Sequence, residues 1–373
     1  MRVGEIGAGP LLPPAGSSGK RLVRRTRGVA LELLAFVLAT VLFPLLFVGA
    51  LIADVFLKLT KGKPMVGFRL VPFLWFFLFT ETWCYGFELV LWLVTGGPFR
   101  RDSMLRRRGI YWLRPHWAAS HLGAIRFVMG MKWEIEGHEH SRPGNYLIMI
   151  RHASIIDNLL PDTFIAKPNG MGIRYIVKRE LENLPLLDIG GRWLPTQFLE
   201  RVSKDPEREI TAMRTLAEDV GPDEAVLIYP EGTRATAKKI ARAKEIIRER
   251  QPEVSPLAEQ LDNLLPPRLG GPLALLDAGE GMDVLFFAHV GFDGFEYVSD
   301  IWAGGLIHRT IRMKMWRVPA AEIPTDEQGR TEWLYENWHR MDRWISENAA
   351  ELGHTPSGKA FESVPPEQPA AVD

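Results

Sequence analysis

From Gly28 to Ala53 the chain is apolar, with Glu32 its only charged residue. A helix of that length spans a bilayer core of roughly 30 Å, and in hydrocarbon a lone segment must satisfy its backbone internally, which a helix does. The run is longer than the roughly 7–15 residues usual for the apolar region of a secretory signal and lacks a small-residue cleavage pattern, so it is expected to be retained. Before it lies a Gly-, Pro- and Ser-rich leader, residues 1–27, with Lys20, Arg21, Arg24, Arg25 and Arg27, expected to be disordered. After it a second apolar stretch, Met65 to Val94, is rich in Phe and Trp but carries Arg69, Glu81 and Glu88. That composition suits a span, a re-entrant segment or an interfacial helix. Residues 28–109 are therefore expected to form a membrane-anchoring hydrophobic hairpin. Arg100, Arg101, Arg106, Arg107 and Arg108 follow it, against Lys58, Lys61 and Lys63 in the turn. The excess of positive charge at both ends predicts that they, and the catalytic part that follows, lie on the cytoplasmic face, with the arginines either solvated or against anionic headgroups.

The remaining length holds one main domain, and 46% hydrophobic content across 373 residues excludes wholesale disorder. Lysine plus arginine and aspartate plus glutamate both total 45, so net charge gives no reason to expect a nucleic-acid partner. The single cysteine, Cys84, sits in the second apolar stretch. It excludes an intrachain disulfide and a cysteine-based zinc site, and no metal is expected.

Beyond the hairpin, Tyr111–Trp133 reads as an interfacial or packed helix in which His116 and His121 are packing or surface groups. Tyr146–Ile150, Arg174–Val177, Ala225–Tyr229 and Val284–Val290 read as strands. Asp205–Val220 reads as a helix with Ile210, Met213, Leu216 and Ala217 on one face. Ile311–Val318 alternates as a strand with one wet face, at an edge or near the membrane, and Trp333–Ile345 reads as a closing amphipathic helix. Strands alternating with helices predict an α/β fold over residues 110–350, a mostly parallel central sheet flanked by helices. The Pro-, Ala- and Glu-rich tail, residues 351–373, is expected to be disordered.

The strand at Tyr146–Ile150 ends in Arg151-His152-Ala153-Ser154-Ile155-Ile156-Asp157. Five residues apart on one helix, His152 and Asp157 would differ by about 140° and not share a face. They meet only if His152 precedes the helix. Asp157 then lies in the first turn and accepts the Nδ1 proton of His152, leaving Nε2 as a base. Such a spacing also arises by chance. A second block is Tyr229-Pro230-Glu231-Gly232-Thr233-Arg234, where proline stops a strand, glycine permits a tight turn, and Arg234 presents a planar fork suited to phosphate. A surface turn with a spare arginine is the plain alternative. Lys178 closes the strand before it and Arg201 follows the apolar pair Phe198-Leu199; with Arg234 they fall near element ends and can converge on one anion.

Taken in order, His152-x4-Asp157, Phe198-Leu199-Glu200-Arg201 and Tyr229–Arg234 resemble the three leading motifs of the glycerolipid acyltransferases, most of all the 1-acyl-sn-glycerol-3-phosphate acyltransferases. The similarity runs from about Trp133 to Trp344. It includes Lys178-Arg179-Glu180-Leu181 and Pro185, and Leu265–Gly271 resembles the Pro-Arg-x-x-Gly stretch of the eukaryote-type branch. Arg151 stands where the family commonly has Asn, and Tyr229 where it commonly has Phe or Cys.

The resemblance implies that His152 takes the proton of an acceptor hydroxyl as it attacks a thioester, with Asp157 steadying the imidazolium. Lys178, Arg201 and Arg234 would hold the acceptor phosphate, with Glu231, Gly232 and Thr233 shaping the pocket. No Gly-x-Ser-x-Gly elbow is present, so direct transfer is expected, with the oxyanion met by backbone N–H groups near the helix start. No cofactor is implied; the donor substrate is acyl-CoA or acyl carrier protein. The acceptor is lysophosphatidate, or alternatively lysocardiolipin, lysophosphatidylinositol or a glycolipid. The partner surface is the lipid bilayer. The basic helix expected at Ala235–Arg250 reads first as solvated and second as a contact for lipid or coenzyme A phosphates. A non-catalytic membrane scaffold and a lipid hydrolase are the readings of other classes.

Overall fold

In the computed structural model, which describes residues 3–11, 17–100, 102–199, 206–295, 301 and 304–354, the apolar N-terminal part forms an antiparallel helical pair. Helix α1 (Ser18–Lys61) begins on an N-cap from Ser17, ends at Gly62 in the left-handed region, and is followed by α2 (Gly67–Val94). Both are long and apolar enough to cross a membrane by length and composition. Aromatic rings line their seam, with Trp75 stacked on Phe79 at 5.5 Å and its Nε1 donating to Thr40 at 3.0 Å. Asp54 of α1 accepts the N–H of Phe68 at 2.9 Å, satisfying one of the unpaired donors that open α2. The second apolar stretch is thus one continuous helix.

The leader differs from its expected disorder. Residues 18–27 continue α1, because Arg24 and Arg25 both reach the fully buried carboxylate of Asp188 at 2.8 Å. Gly4 and Glu5 bond to the backbone of Gly170 and Asp223, and Ile6 is buried.

Helix α3 (Met104–Met129) follows α2 and rests on it through Trp117, whose Nε1 donates to Glu81 at 2.6 Å, and His121, which meets Thr80 at 2.9 Å. Two of the arginines expected on a solvated or lipid-facing surface are instead buried. Arg106 donates to Thr95 at 2.9 Å beneath Trp193, and Arg107 grips Asp102 in two parallel bonds of 2.9 and 2.7 Å. Their stems cover apolar surface while their forks cap backbone and carboxylate oxygens. Arg100 and Arg108 keep exposed positions; Arg101 lies outside the described residues.

The sheet has seven strands: β1 (Lys132–Glu136), β2 (Tyr146–Ile150), β3 (Gly172–Lys178), β4 (Gln197–Leu199), β5 (Glu224–Ile228), β6 (Asp283–Val290) and β7 (Thr310–Val318), in the order β1-β7-β6-β2-β5-β3-β4. From β6 to β4 all neighbours are parallel; β7 runs antiparallel to β6, and β1 is parallel to β7. β7 is therefore not an edge. The charged strand β1, Lys-Trp-Glu-Ile-Glu, takes that place, where inward-pairing groups on one side and water on the other suit its composition.

Alternation along the central strands divides them between two cores. Leu147, Met149, Val226, Ile228, Val284 and Phe286 face the C-terminal helix Glu327–Glu351, against Trp338 and Ile345. Tyr146, Ile148, Ile150, Ala225, Leu227 and Phe287 face α3, against Leu122, Ile125 and Met129. Burial on both faces is why these strands read as continuous apolar runs. Trp338 is fully enclosed; an aromatic of this class removes roughly 150–250 Å² from water, about 4–6 kcal/mol before conformational entropy is subtracted. The tail from 355 onward lies outside the described residues.

Candidate functional site

Parallel strands gather their C-terminal ends on one edge, where ligands bind in open α/β sheets. On this edge β2 stops at Ile150, and the next residues leave the sheet without helical bonding until the short 3-10 turn Ile156–Leu159. His152 precedes that turn and Asp157 lies in it, so the spacing that fails on one helix succeeds here. Nδ1 of His152 is 3.2 Å from Oδ2 of Asp157.

The same oxygen accepts the N–H groups of Ala153 at 2.6 Å and Ser154 at 2.7 Å. Burial alone would push the Asp157 carboxyl up, but His289, the bond to His152 and the Ser154 N–H together hold it below the ordinary carboxylate range. Asp157 is thus an anion with His152 as one partner. This network narrows one expectation. Three of the N–H groups after His152 are already committed: Ala153 and Ser154 to Asp157, and Ile156 to the Ser154 hydroxyl at 3.2 Å. They are not open to an oxyanion.

The turn after β5 closes the other side. Gly232 adopts φ +64°, a left-handed conformation that glycine takes without strain. Glu231 is buried and used as a brace. One oxygen accepts the backbone N–H of His152 at 2.5 Å, the other that of Leu265 at 3.1 Å. Burial pushes its pKa up to about 8, against the pull of Arg151 and the two N–H groups. The His152 carbonyl in turn accepts the N–H of Ala235 at 2.7 Å. Glu231 can therefore shape the pocket but does not present its carboxylate to a ligand. The Tyr229 ring lies 4.4 Å from the His152 ring. Gly232 is exposed, and Thr233 and Arg234 are half-buried in the same turn.

Of the remaining predicted residues, Lys178 ends β3 beside β4 on the same sheet edge, paired in register with Leu199. Arg201, with Glu200, lies outside the described residues.

Three residues carry more than the sequence disclosed. Arg151 points inward: Nη2 meets Asp293 at 2.7 Å and Nη1 the carbonyl of His289 at 2.7 Å, all within the core. It braces β2 to the loop after β6 and faces no headgroup. His289 of β6 is fully buried with Nε2 3.4 Å from Oδ1 of Asp157. Within an apolar strand it reads as a core residue, and only the strand register discloses it. Ile150, the last residue of β2, pairs with Phe287, which brings His289, two residues further along β6, near the turn that follows β2. Arg268, in the Leu265–Gly271 stretch, lies over Gly232, where an added Cβ would sit 2.9 Å from its Cδ. Its N–H donates to the Pro230 carbonyl at 2.8 Å, fixing it beside the turn. Arg268 is exposed, and among the described residues no carboxylate pairs with it.

Residues 132–251 match the family model Acyltransferase, and residues 304–367 match Acyltransferase C-terminus. The first covers β1 through β5 and the turn after it, the second β7 and the closing helix. The chain is similar to a lysophosphatidylinositol acyltransferase 10 of Caenorhabditis elegans, 21% identical over 60% of this chain. It is also similar to the 1-acyl-sn-glycerol-3-phosphate acyltransferase epsilon of Mus musculus, 22% identical over 54%. The chain spans 58% of the length of each of these two relatives. Among solved structures it resembles the 1-acyl-sn-glycerophosphate acyltransferase PlsC of Thermotoga maritima, with TM-score 0.45 and 17% identity, over 73% of this chain and 96% of that one. The two family models fall in order along its sheet, so residues 132–251 carry an acyltransferase domain and residues 304–367 the matching C-terminal part.

Proposed function

We propose that this chain is a membrane-bound O-acyltransferase that moves a fatty acyl group from acyl-CoA or acyl carrier protein to the free hydroxyl of lysophosphatidate, giving phosphatidate. The observation that carries this reading is the His152–Asp157 contact of 3.2 Å at the open end of β2, beside the arginine-bearing turn after β5. His152 Nε2 takes the hydroxyl proton as that oxygen attacks the thioester carbonyl. The ester C–O bond forms, the C–S bond breaks, and the proton passes from the imidazolium to the departing thiolate. Asp157, anionic and hydrogen-bonded to Nδ1, holds the tautomer and steadies the imidazolium. Lys178, Arg201, Arg234 and Arg268 supply positive charge for the acceptor phosphate. The helical pair α1 and α2 supports a place in the bilayer, and the basic residues flanking the pair favour its cytoplasmic face for the catalytic domain, where substrates need not expose acyl chains at a cost of about 0.8 kcal/mol per CH₂.

A second acceptor, lysophosphatidylinositol, is favoured by the name of the Caenorhabditis elegans relative. Both readings are tested in isolated membranes with labelled acyl-CoA and a panel of lysolipids, alongside His152→Ala. General-base loss is expected to lower turnover about 10²–10⁴-fold. Wild-type turnover by the variant would sink the mechanism, and equal use of all acceptors would sink the substrate assignment.

A further inference from the structure

Asp157 has two oxygens, and the base reading uses only one. Oδ2 serves His152, Ala153 and Ser154; among the described residues Oδ1 has no hydrogen-bond partner, and Nε2 of His289 lies 3.4 Å from it. That imidazole is enclosed on all sides, and among the described residues neither of its ring nitrogens has a hydrogen-bond partner. A dry carboxylate oxygen and a dry ring nitrogen that each lack any other partner complement one another only if the nitrogen carries hydrogen.

We propose that His289 is a positioning residue: as a neutral imidazole with hydrogen on Nε2, it holds Asp157 from the side opposite His152 and sets how strongly Asp157 supports the base. This rests on the reading of His152 as that base. The charged and titratable groups around His289 are Asp157 from the turn after β2, Arg151 from the end of β2, and Asp293 from the loop after β6. Burial lowers its pKa, with Arg151 adding to that and the two carboxylates opposing it. The backbone around it is also fixed, because Arg151 grips its carbonyl and ties the same guanidinium to Asp293. β6 pairs with β2 up to Ile150, so His289 of β6 lies next to the turn after β2 that carries Asp157. A donor on Oδ1 draws charge from Asp157 and fixes its plane. Without it Asp157 keeps more charge for His152 or takes a proton itself, and either change makes the acidic loss of activity begin at higher pH.

The full-length protein in membranes is compared with His289→Leu, which removes the donor, and His289→Gln, whose amide N–H reaches toward the same oxygen without titrating. Turnover, acceptor KM, the pH profile and thermal unfolding are read together, with His152→Ala alongside. His289→Leu is expected to lower kcat about 10–100-fold, the range seen when a partner that orients a functional side chain is lost. Its acceptor KM should stay within about twofold and the acid limb should move upward. His289→Gln should return kcat to within about fivefold of wild type, with the original limb. Wild-type kcat and pH profile in His289→Leu overturn the proposal, as does a folded His289→Gln that is inactive. Should His289→Leu not fold, His289→Gln alone decides by those criteria. Full activity in His152→Ala fails the base reading itself, whatever His289 does; an inactive His152→Ala beside an unaffected His289→Leu fails only this inference.

Discussion

The Glu231 carboxylate accepts the backbone N–H of His152 at 2.5 Å, so the turn after β5 holds the residue that opens the turn after β2. Glu231→Ala leaves the N–H groups of His152 and Leu265 buried without acceptors, at about 1–3 kcal/mol each. The pH dependence follows from the sign of its shift. In the folded protein its pKa is up at about 8, above the ordinary carboxylate value of about 4.3, so folding favours the protonated form. Its contribution is complete below the unfolded pKa and declines as pH rises toward 8. Chemical denaturation of the detergent-solubilised protein between pH 4.5 and 8.5, conditions of roughly that interval, should give a falling stability that flattens in Glu231→Gln. An identical slope in the variant would contradict this.

Arg151 and Asp293 form a fully enclosed ion pair. Removing one partner strands the other, so Arg151→Met should cost about 3–5 kcal/mol, and adding Asp293→Leu should recover part of it. Because the guanidinium faces the core, the ratio of activities across a panel of lysolipids should be unchanged in any folded Arg151 variant. A changed ratio would place Arg151 in acceptor choice after all.

Arg268 overlies Gly232 without a carboxylate partner among the described residues. A charge-assisted bond to phosphate is worth about 1.5–3 kcal/mol, so Arg268→Ala should raise the acceptor KM about 10–100-fold and leave kcat within threefold, roughly. Arg268→Lys should recover only part, since an ammonium cannot bind phosphate as a planar fork. Unchanged KM in Arg268→Ala removes this residue from the phosphate pocket.

Asp188 joins the start of α1 to the catalytic domain, holding Arg24, Arg25 and Arg192 at 2.8 Å each. Burial pushes its pKa up, but the bonds from Arg25, Arg24 and Arg192 outweigh that and hold it at about 2. A depressed pKa contributes stability that is present above the ordinary value near 3.9 and is lost as pH falls through 2, on the order of 2 kcal/mol in all. Asp188→Asn should free this end of α1 at neutral pH. Trypsin should then cut at Arg24 and Arg25 faster than in wild type, and equal cutting rates would refute the docking role.

Much was legible in the residues themselves. Apolar run length determined the two N-terminal helices, and alternation between strand and helix patterns determined the α/β class. β2, β5, β6 and β7 were readable because strands buried on both faces, or alternating over one, leave a periodic trace. Spacing also determined that His152 and Asp157 can meet only where a helix has not yet begun. Tertiary structure decided what no local pattern encodes. It turned Arg106, Arg107 and Arg151 inward, because a guanidinium's surroundings depend on which carbonyls and carboxylates the fold brings to it. It placed the short, charged β1 at the edge, beside β7. It also set His289 of β6 against Asp157, a contact between residues far apart in the chain. Sequence fixes which groups are available and the local geometry around them; the register between neighbouring strands decides which of those groups touch.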